Sequence, residues 1–117
     1  MRTILLVNSK GGCGKSTLAI NLAAHYALQD KHVVLADFDP QASSLKWLEA
    51  RPKDRPPIRG LAGFEDGARL PRNADYAILD APAGIGGADL TALVRRAQTI
   101  VIPVMPSATD MRAAARF

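Results

Sequence analysis

Residues 4–17 read Ile4-Leu5-Leu6-Val7-Asn8-Ser9-Lys10-Gly11-Gly12-Cys13-Gly14-Lys15-Ser16-Thr17, an apolar run, a glycine-rich stretch, then a lysine and two hydroxyl residues. The apolar run has the length and composition of a buried strand. Glycines let consecutive backbone N–H groups point inward, and a helix starting at Lys15-Ser16 would aim its positive end at the same point. A strand, loop and helix in that order form a phosphate cradle, in which Lys15 reaches the β- and γ-phosphates and the Ser16 hydroxyl ligates Mg²⁺. The common form of the pattern has a glycine five positions before Gly14, where this chain has Ser9, and the variant here carries Lys10-Gly11-Gly12 instead. The competing reading is a glycine-rich turn that holds no ligand. The order of strand, loop, Lys-Ser and helix favours the cradle.

Outward from this loop, three more apolar runs of strand length occur at residues 32–37, 76–80 and 99–104. None alternates cleanly between apolar and polar, as expected of strands covered on both faces. Residues 16–29 have helical spacing, with Leu18, Leu22 and Tyr26 on one stripe and Asn21, His25 and Gln29 on another. Helical character recurs at 41–51 and 88–97, and a last helix begins near Asp110. Strands alternating with helices predict an α/β fold, a mostly parallel sheet flanked by helices with right-handed crossovers. Residues 52–73 break the pattern with four prolines, three glycines and several basic residues. They predict a surface excursion with one short strand at 58–61 and a helical turn near 64–69.

The second strand ends in Asp37-Phe38-Asp39-Pro40-Gln41. Carboxylates at i and i+2 would share one side of a strand at its C-terminal end, where ligands of open α/β sheets gather. One can hold metal-bound water and the other can orient an attacking water. A helix cap with a surface turn is the plainer alternative. The third strand delivers a lone carboxylate, Asp80, ahead of Ala81-Pro82-Ala83-Gly84. An apolar strand ending in aspartate suits Mg²⁺ binding, directly or through water.

Taken as a set, the loop with Lys10, the Asp37-Phe38-Asp39-Pro40-Gln41 segment and the strand ending at Asp80 resemble the ParA-type partitioning and cargo-positioning ATPases, within the ParA/MinD group of P-loop proteins. The resemblance implies a P-loop NTPase fold over residues 1–117 as a single nucleotide-binding domain, incomplete relative to the family, whose domains are roughly twice as long. It implies that Gly11, Gly12, Cys13, Gly14, Lys15, Ser16 and Thr17 hold ATP, and that Ser16, Asp37 and Asp80 hold Mg²⁺. It casts Lys10 as the lysine that crosses a nucleotide-sandwich dimer, Asp39 as the hydrolytic aspartate, and Pro82–Gly84 as the segment following the γ-phosphate. Its partners would be a second copy, bound through ATP, a ParB-like stimulating protein and nonspecific DNA. The chain would then be a natural short form, a fragment or the product of a disrupted gene. A noncatalytic interaction module that keeps the loop is the rival function.

Composition bounds the remaining choices. The 117 residues are 48% hydrophobic and 22% charged, which excludes a disordered tail or a low-complexity array. A net charge of +4 permits phosphate-rich partners without requiring them. The lone Cys13 can form neither an internal disulfide nor a zinc site by itself, and predicts a reduced, intracellular setting, to which the resemblance adds the cytoplasm with nucleoid association as an option. The opening apolar run is too short for a secretory signal, and no segment approaches a membrane span. A nitrogenase-type iron protein would need two further cysteines, and a membrane-bound MinD-type switch a C-terminal amphipathic helix. A dinucleotide oxidoreductase would lack the Lys-Ser. Arg51, Lys53, Arg55 and Arg59 could meet DNA phosphates, but a solvated basic loop is the favoured reading, because no aromatic interleaving or groove-reading helix accompanies them. Trp47 and Leu48 read as packing residues, and His25 and His32 as surface ones.

Overall fold

Alternation of strand and helix carries through the computed structural model, which describes residues 1–8, 14–104 and 115. The elements are β1 (Arg2–Leu6), α1 (Lys15–Leu28), β2 (Val33–Asp37), α2 (Ser43–Ala50), β3 (Arg59–Ala62), β4 (Tyr76–Asp80), α3 (Gly87–Arg96) and β5 (Thr99–Val101). The strands lie in the order β3-β2-β4-β1-β5, and every neighbouring pair is parallel. The α/β class and the parallel sheet expected from the sequence are therefore present.

Because side chains alternate across a strand, each strand feeds two cores. On one face Ile4, Leu6, Val33, Leu35 and Ile78 meet Ala19, Ala23 and Ala27 of α1. On the other face Leu5, Val7, Val34, Ala36, Ala77 and Leu79 meet Leu93 of α3. Burying each of the large aliphatic side chains is worth roughly 1.5–3 kcal/mol. The face of α1 against the sheet is the alanine stripe, and the expected stripe of Leu18, Leu22 and Tyr26 is only partly buried beside it. Small side chains let the helix lie close to the strands, which pushes the larger ones to its flanks. Tyr26 fills one flank by stacking on Tyr76 of β4, with ring centroids 3.8 Å apart.

Several boundaries move. β1 begins at Arg2 and stops at Leu6, though the Val7 N–H still donates to the Val101 carbonyl (3.1 Å). β5 is half as long as expected, ending at Val101 just before a segment in which Pro103 has no N–H to donate. As an edge strand it leaves Ile100 43% exposed, with Ile102 and Val104 beyond it 38% and 42% exposed. α2 starts two residues late because Ala42 sits at φ 58, outside the right-handed helical region. The excursion strand is displaced by one residue, and no helical turn follows it. Glu65 and Ala68 instead donate to the carbonyls of Ala62 and Glu65 in successive tight turns, and Gly67 at φ +79 ends any helical course. The helix expected near Asp110 lies outside the described residues. Among those described, no helix is long and apolar enough to cross a membrane.

Register is what positions the site. Asp37 and Asp80 are direct neighbours across β2 and β4, and Leu6 is opposite Asp80 on β1. The ends of the three central strands thus form one level edge from which the connections after β1, β2 and β4 leave.

Candidate functional site

α1 rises from this edge. Gly14, at φ +81, caps it in a conformation that a side chain would strain, and its carbonyl accepts the Leu18 N–H (2.9 Å). The first turn, Lys15-Ser16-Thr17, holds no acid of its own, so the positive end of the helix is open to an anionic group from elsewhere. Lys15 is nevertheless buried. Its ammonium pairs with Oδ1 of Asp80, the carboxylate at the end of β4. The Ser16 hydroxyl donates to Oδ2 of the same carboxylate at 2.9 Å. Thr17 is exposed on the following position.

A third donor reaches Asp80. Ser44, wholly buried at the start of α2, donates its hydroxyl to Oδ2 at 2.5 Å. The Ser44 backbone N–H donates to Oδ2 of Asp37 at 3.1 Å, and the Leu45 N–H approaches the same oxygen at 3.4 Å. Asp37 Oδ1 accepts the Asp39 N–H at 3.0 Å. Asp37 thus does for α2 what its own cap residue, Ala42, cannot do. It satisfies two of the N–H groups that a helix start leaves unpaired. Burial pushes the Asp37 carboxyl above its usual range and the adjacent Asp80 charge adds to this, while the three backbone donors pull the other way.

The two aspartates of the Asp37-Phe38-Asp39 segment do not share a strand face, contrary to expectation. β2 ends at Asp37, and Asp39 lies in the turn beyond it, half exposed. There its carboxylate accepts the Gln41 N–H at 3.0 Å and its carbonyl the Ala42 N–H at 2.8 Å. The plainer alternative, a helix cap and a turn, is therefore realised at this segment, and it places Asp37 beside Asp80 as well. Lys10, Gly11, Gly12 and Cys13 lie outside the described residues.

Sequence reasoning missed two members of the edge. Ser44 is one; nothing in the Ser43-Ser44 pair distinguishes the buried hydroxyl from the exposed one. Asn8 is the other. It is buried, its side-chain amide donates to the Pro103 carbonyl, and its own carbonyl accepts the Gly84 N–H at 3.1 Å. It ties the loop after β4 to the segment after β5. A polar residue closing an apolar strand ahead of the glycine loop was the available signal. Among the basic residues read as possible DNA contacts, Arg51 is committed locally, donating to the Pro56 carbonyl from Nε (3.3 Å) and Nη2 (2.9 Å). His25 and His32 are exposed, as expected.

A lysine and a serine at a helix start can neutralise and orient phosphate oxygens, and the paired aspartates beside them suit a cation that accompanies the phosphate. The profile of the CobQ/CobB/MinD/ParA nucleotide binding domain matches residues 4–114. The chain belongs to this family. The maintenance of carboxysome distribution protein A of Gloeobacter kilaueensis is 33% identical over 122 residues, covering 94% of this chain and 52% of that protein. The chromosome-partitioning ATPase Soj of Thermus thermophilus is 42% identical over 77 residues, covering 60% of this chain and 31% of that protein. The expected likeness to ParA-type proteins is thus met. A nucleotide-binding protein from Archaeoglobus fulgidus, solved in complex with ADP, shares the fold with a TM-score of 0.71 at 24% identity, over 98% of this chain and 60% of that one. The chain spans about half the length of the first of these relatives, as its 52% coverage shows. The parallel sheet with flanking helices is accordingly of the P-loop NTPase type, in a family of nucleotide-binding proteins tied to partitioning and positioning.

Proposed function

We propose that the chain is the nucleotide-binding part of an ATP-dependent dimerisation switch that hydrolyses ATP slowly and positions a plasmid, chromosome or protein cargo in the cytoplasm, at the nucleoid. The observation that carries this reading is the convergence of Lys15, Ser16 and Ser44 on Asp80, with Asp37 beside it in register, at the start of α1. Lys15 exchanges its partner, Asp80, for the β- and γ-phosphates. Gly11 to Thr17 supply backbone N–H groups and hydroxyls to the same oxygens.

Mg²⁺ fits the donor set. Ser16, Asp37 and Asp80 offer only hard oxygen atoms, and among the described residues two buried carboxylates face one buried ammonium, which leaves negative charge in excess there. When bound, the ion would neutralise the phosphate oxygens and fix their geometry. Too few acidic, His or Cys side chains converge to hold it alone, since no group of three or more occurs among the described residues. Phosphate and water would complete its shell.

Asp39 orients the attacking water from its half-exposed turn. Lys10 reaches the phosphates of a second copy, so that ATP holds the dimer and hydrolysis releases it. A ParB-like protein would stimulate that release, and nonspecific DNA would be the surface on which the dimer is retained. A second reading, a noncatalytic interaction module, draws on the apolar side chains exposed along β5 and beyond.

Calorimetric titration of Mg²⁺-ATP into the chain tests the proposal. Micromolar binding that Lys15→Ala abolishes is expected, with Asp39→Ala binding normally but failing to turn over. A folded chain that binds no nucleotide would leave only the second reading. Equal turnover by Asp39→Ala and the parent would remove Asp39 from its role.

A further inference from the structure

At the far end of α1 and α2 from the phosphate edge lies a groove of about 300 Å³, lined among others by Ala24, Leu28, Trp47, Ala50, Arg51 and Arg55. Ala24 and Leu28 are nine and thirteen residues past Lys15, so the groove is about 14–20 Å along the helix from the ammonium. It belongs to neither the nucleotide edge nor the sheet core.

Three features distinguish it from ordinary surface. Leu28 is 66% exposed, more than any other large hydrophobic side chain described. Trp47, the single tryptophan of the chain, forms a wall, and tryptophan is the residue type that most often anchors an interface. The charge on the rim has one sign. Arg51 and Arg55 line the groove and no acid does. The Arg51 guanidinium lies 5.3 Å from the Trp47 ring and is held by its two hydrogen bonds to Pro56, so this cation is already ordered. Arg55 makes no side-chain hydrogen bond or ion pair among the described residues, which leaves its five donors for a partner. Lys53 and Arg59 extend the positive field, against Asp54 alone in that segment.

We propose that this groove is a docking surface for an acidic, amphipathic segment of a partner protein, which seats an apolar side chain between Leu28 and Trp47 and lays its carboxylates on Arg51 and Arg55. Charge complementarity selects an acidic occupant. The apolar floor selects a polypeptide over nucleic acid, because a phosphate backbone would leave Leu28, Ala24 and Ala50 without a partner.

Trp47 emission reports on the groove directly, since no second tryptophan contributes. The probe is a short synthetic peptide of glutamate and leucine at amphipathic helical spacing. The comparisons are the same peptide with lysine for glutamate, and duplex DNA of random sequence. The glutamate peptide is expected to shift Trp47 emission to shorter wavelength and to bind at least about tenfold more tightly than the lysine peptide. Arg55→Glu and Leu28→Ser, both at exposed positions, should each weaken it by about tenfold while leaving the circular dichroism unchanged. No shift at any peptide concentration would overturn the proposal, as would equal binding of the lysine peptide or binding that neither substitution alters. DNA binding lost in Arg55→Glu, with no response to the glutamate peptide, would reassign the patch to nucleic acid.

Discussion

Replacing Ser44 with alanine removes one oxygen from a site where three donors share a buried carboxylate. The Ser44 hydroxyl is fully buried and donates to Asp80 Oδ2 at 2.5 Å, a hydrogen bond to a charged acceptor. Such bonds are worth about 1.5–3 kcal/mol. Asp80 keeps Lys15 on one oxygen and Ser16 on the other, so the carboxylate is not orphaned and the loss falls at the lower end. Alanine also favours the helical backbone over serine by a few tenths of a kcal/mol, which offsets a little. The Ser44 N–H to Asp37 is a backbone bond and survives the change. The expected net loss is about 1–2 kcal/mol. Urea unfolding measures it, as a lower midpoint at unchanged slope. Ser43→Ala is the control, one residue away on the exposed side of the same helix, and should stay within about 0.5 kcal/mol of the parent. If the two variants unfolded at the same midpoint, the Ser44–Asp80 bond would contribute nothing and α2 would not be tied to the site through it.

Burial raises the folded pKa of the Asp37 carboxyl above its ordinary 3.8, so the folded state binds more protons than the unfolded chain between the two values. Its contribution to stability therefore falls as pH rises from 3.8 through the folded pKa and is constant above it. The stability of Asp37→Asn relative to the parent, followed by urea unfolding across that range, should rise with pH; a falling difference would contradict the assigned direction. Gly63→Ala tests the packing beneath the loop after β2. A Cβ there would lie 2.7–2.8 Å from the Phe38 ring, which Arg96 covers from 5.7 Å, so ring and guanidinium must both shift. A loss of about 1–3 kcal/mol by urea unfolding is expected, and an unchanged midpoint would show that Phe38 moves freely.

Legibility differed between the parts of this chain for physical reasons. The central strands were plain in the sequence because a strand buried on both faces must be apolar throughout, and few other structures have that requirement. The start of α1 at Lys15-Ser16 and the family were plain because a phosphate-binding pattern puts glycine, lysine and a hydroxyl in fixed order ahead of a helix. The helix face was harder. Apolar periodicity favoured Leu18, Leu22 and Tyr26, whereas close approach to the sheet placed Ala19, Ala23 and Ala27 innermost. Hydrophobicity reports preference for burial and says nothing of how near a backbone must come. β5 was overextended because an apolar composition continues past Val101 while the backbone pairing that defines a strand does not. Ser44 was invisible for a third reason. Its role depends on the register of β2 against β4, a long-range fact that no local pattern encodes.

That register also explains why the two readings of the Asp37 segment were not in competition. A carboxylate that caps a helix must sit at the helix start, and α2 starts beside the end of β4. Capping α2 from β2 therefore forces Asp37 against Asp80, at the cost of burying two like charges side by side. One buried ammonium, Lys15, offsets half of that charge. If stability alone shaped the site, a neutral acceptor at position 37 would cap α2 with less electrostatic penalty. The surplus negative charge is instead what a hard cation brought in with phosphates would neutralise. Under the proposed function, nucleotide binding and the anchoring of α2 would draw on the same carboxylates, so any shift of charge at Asp80 or Asp37 would act directly on the start of α2.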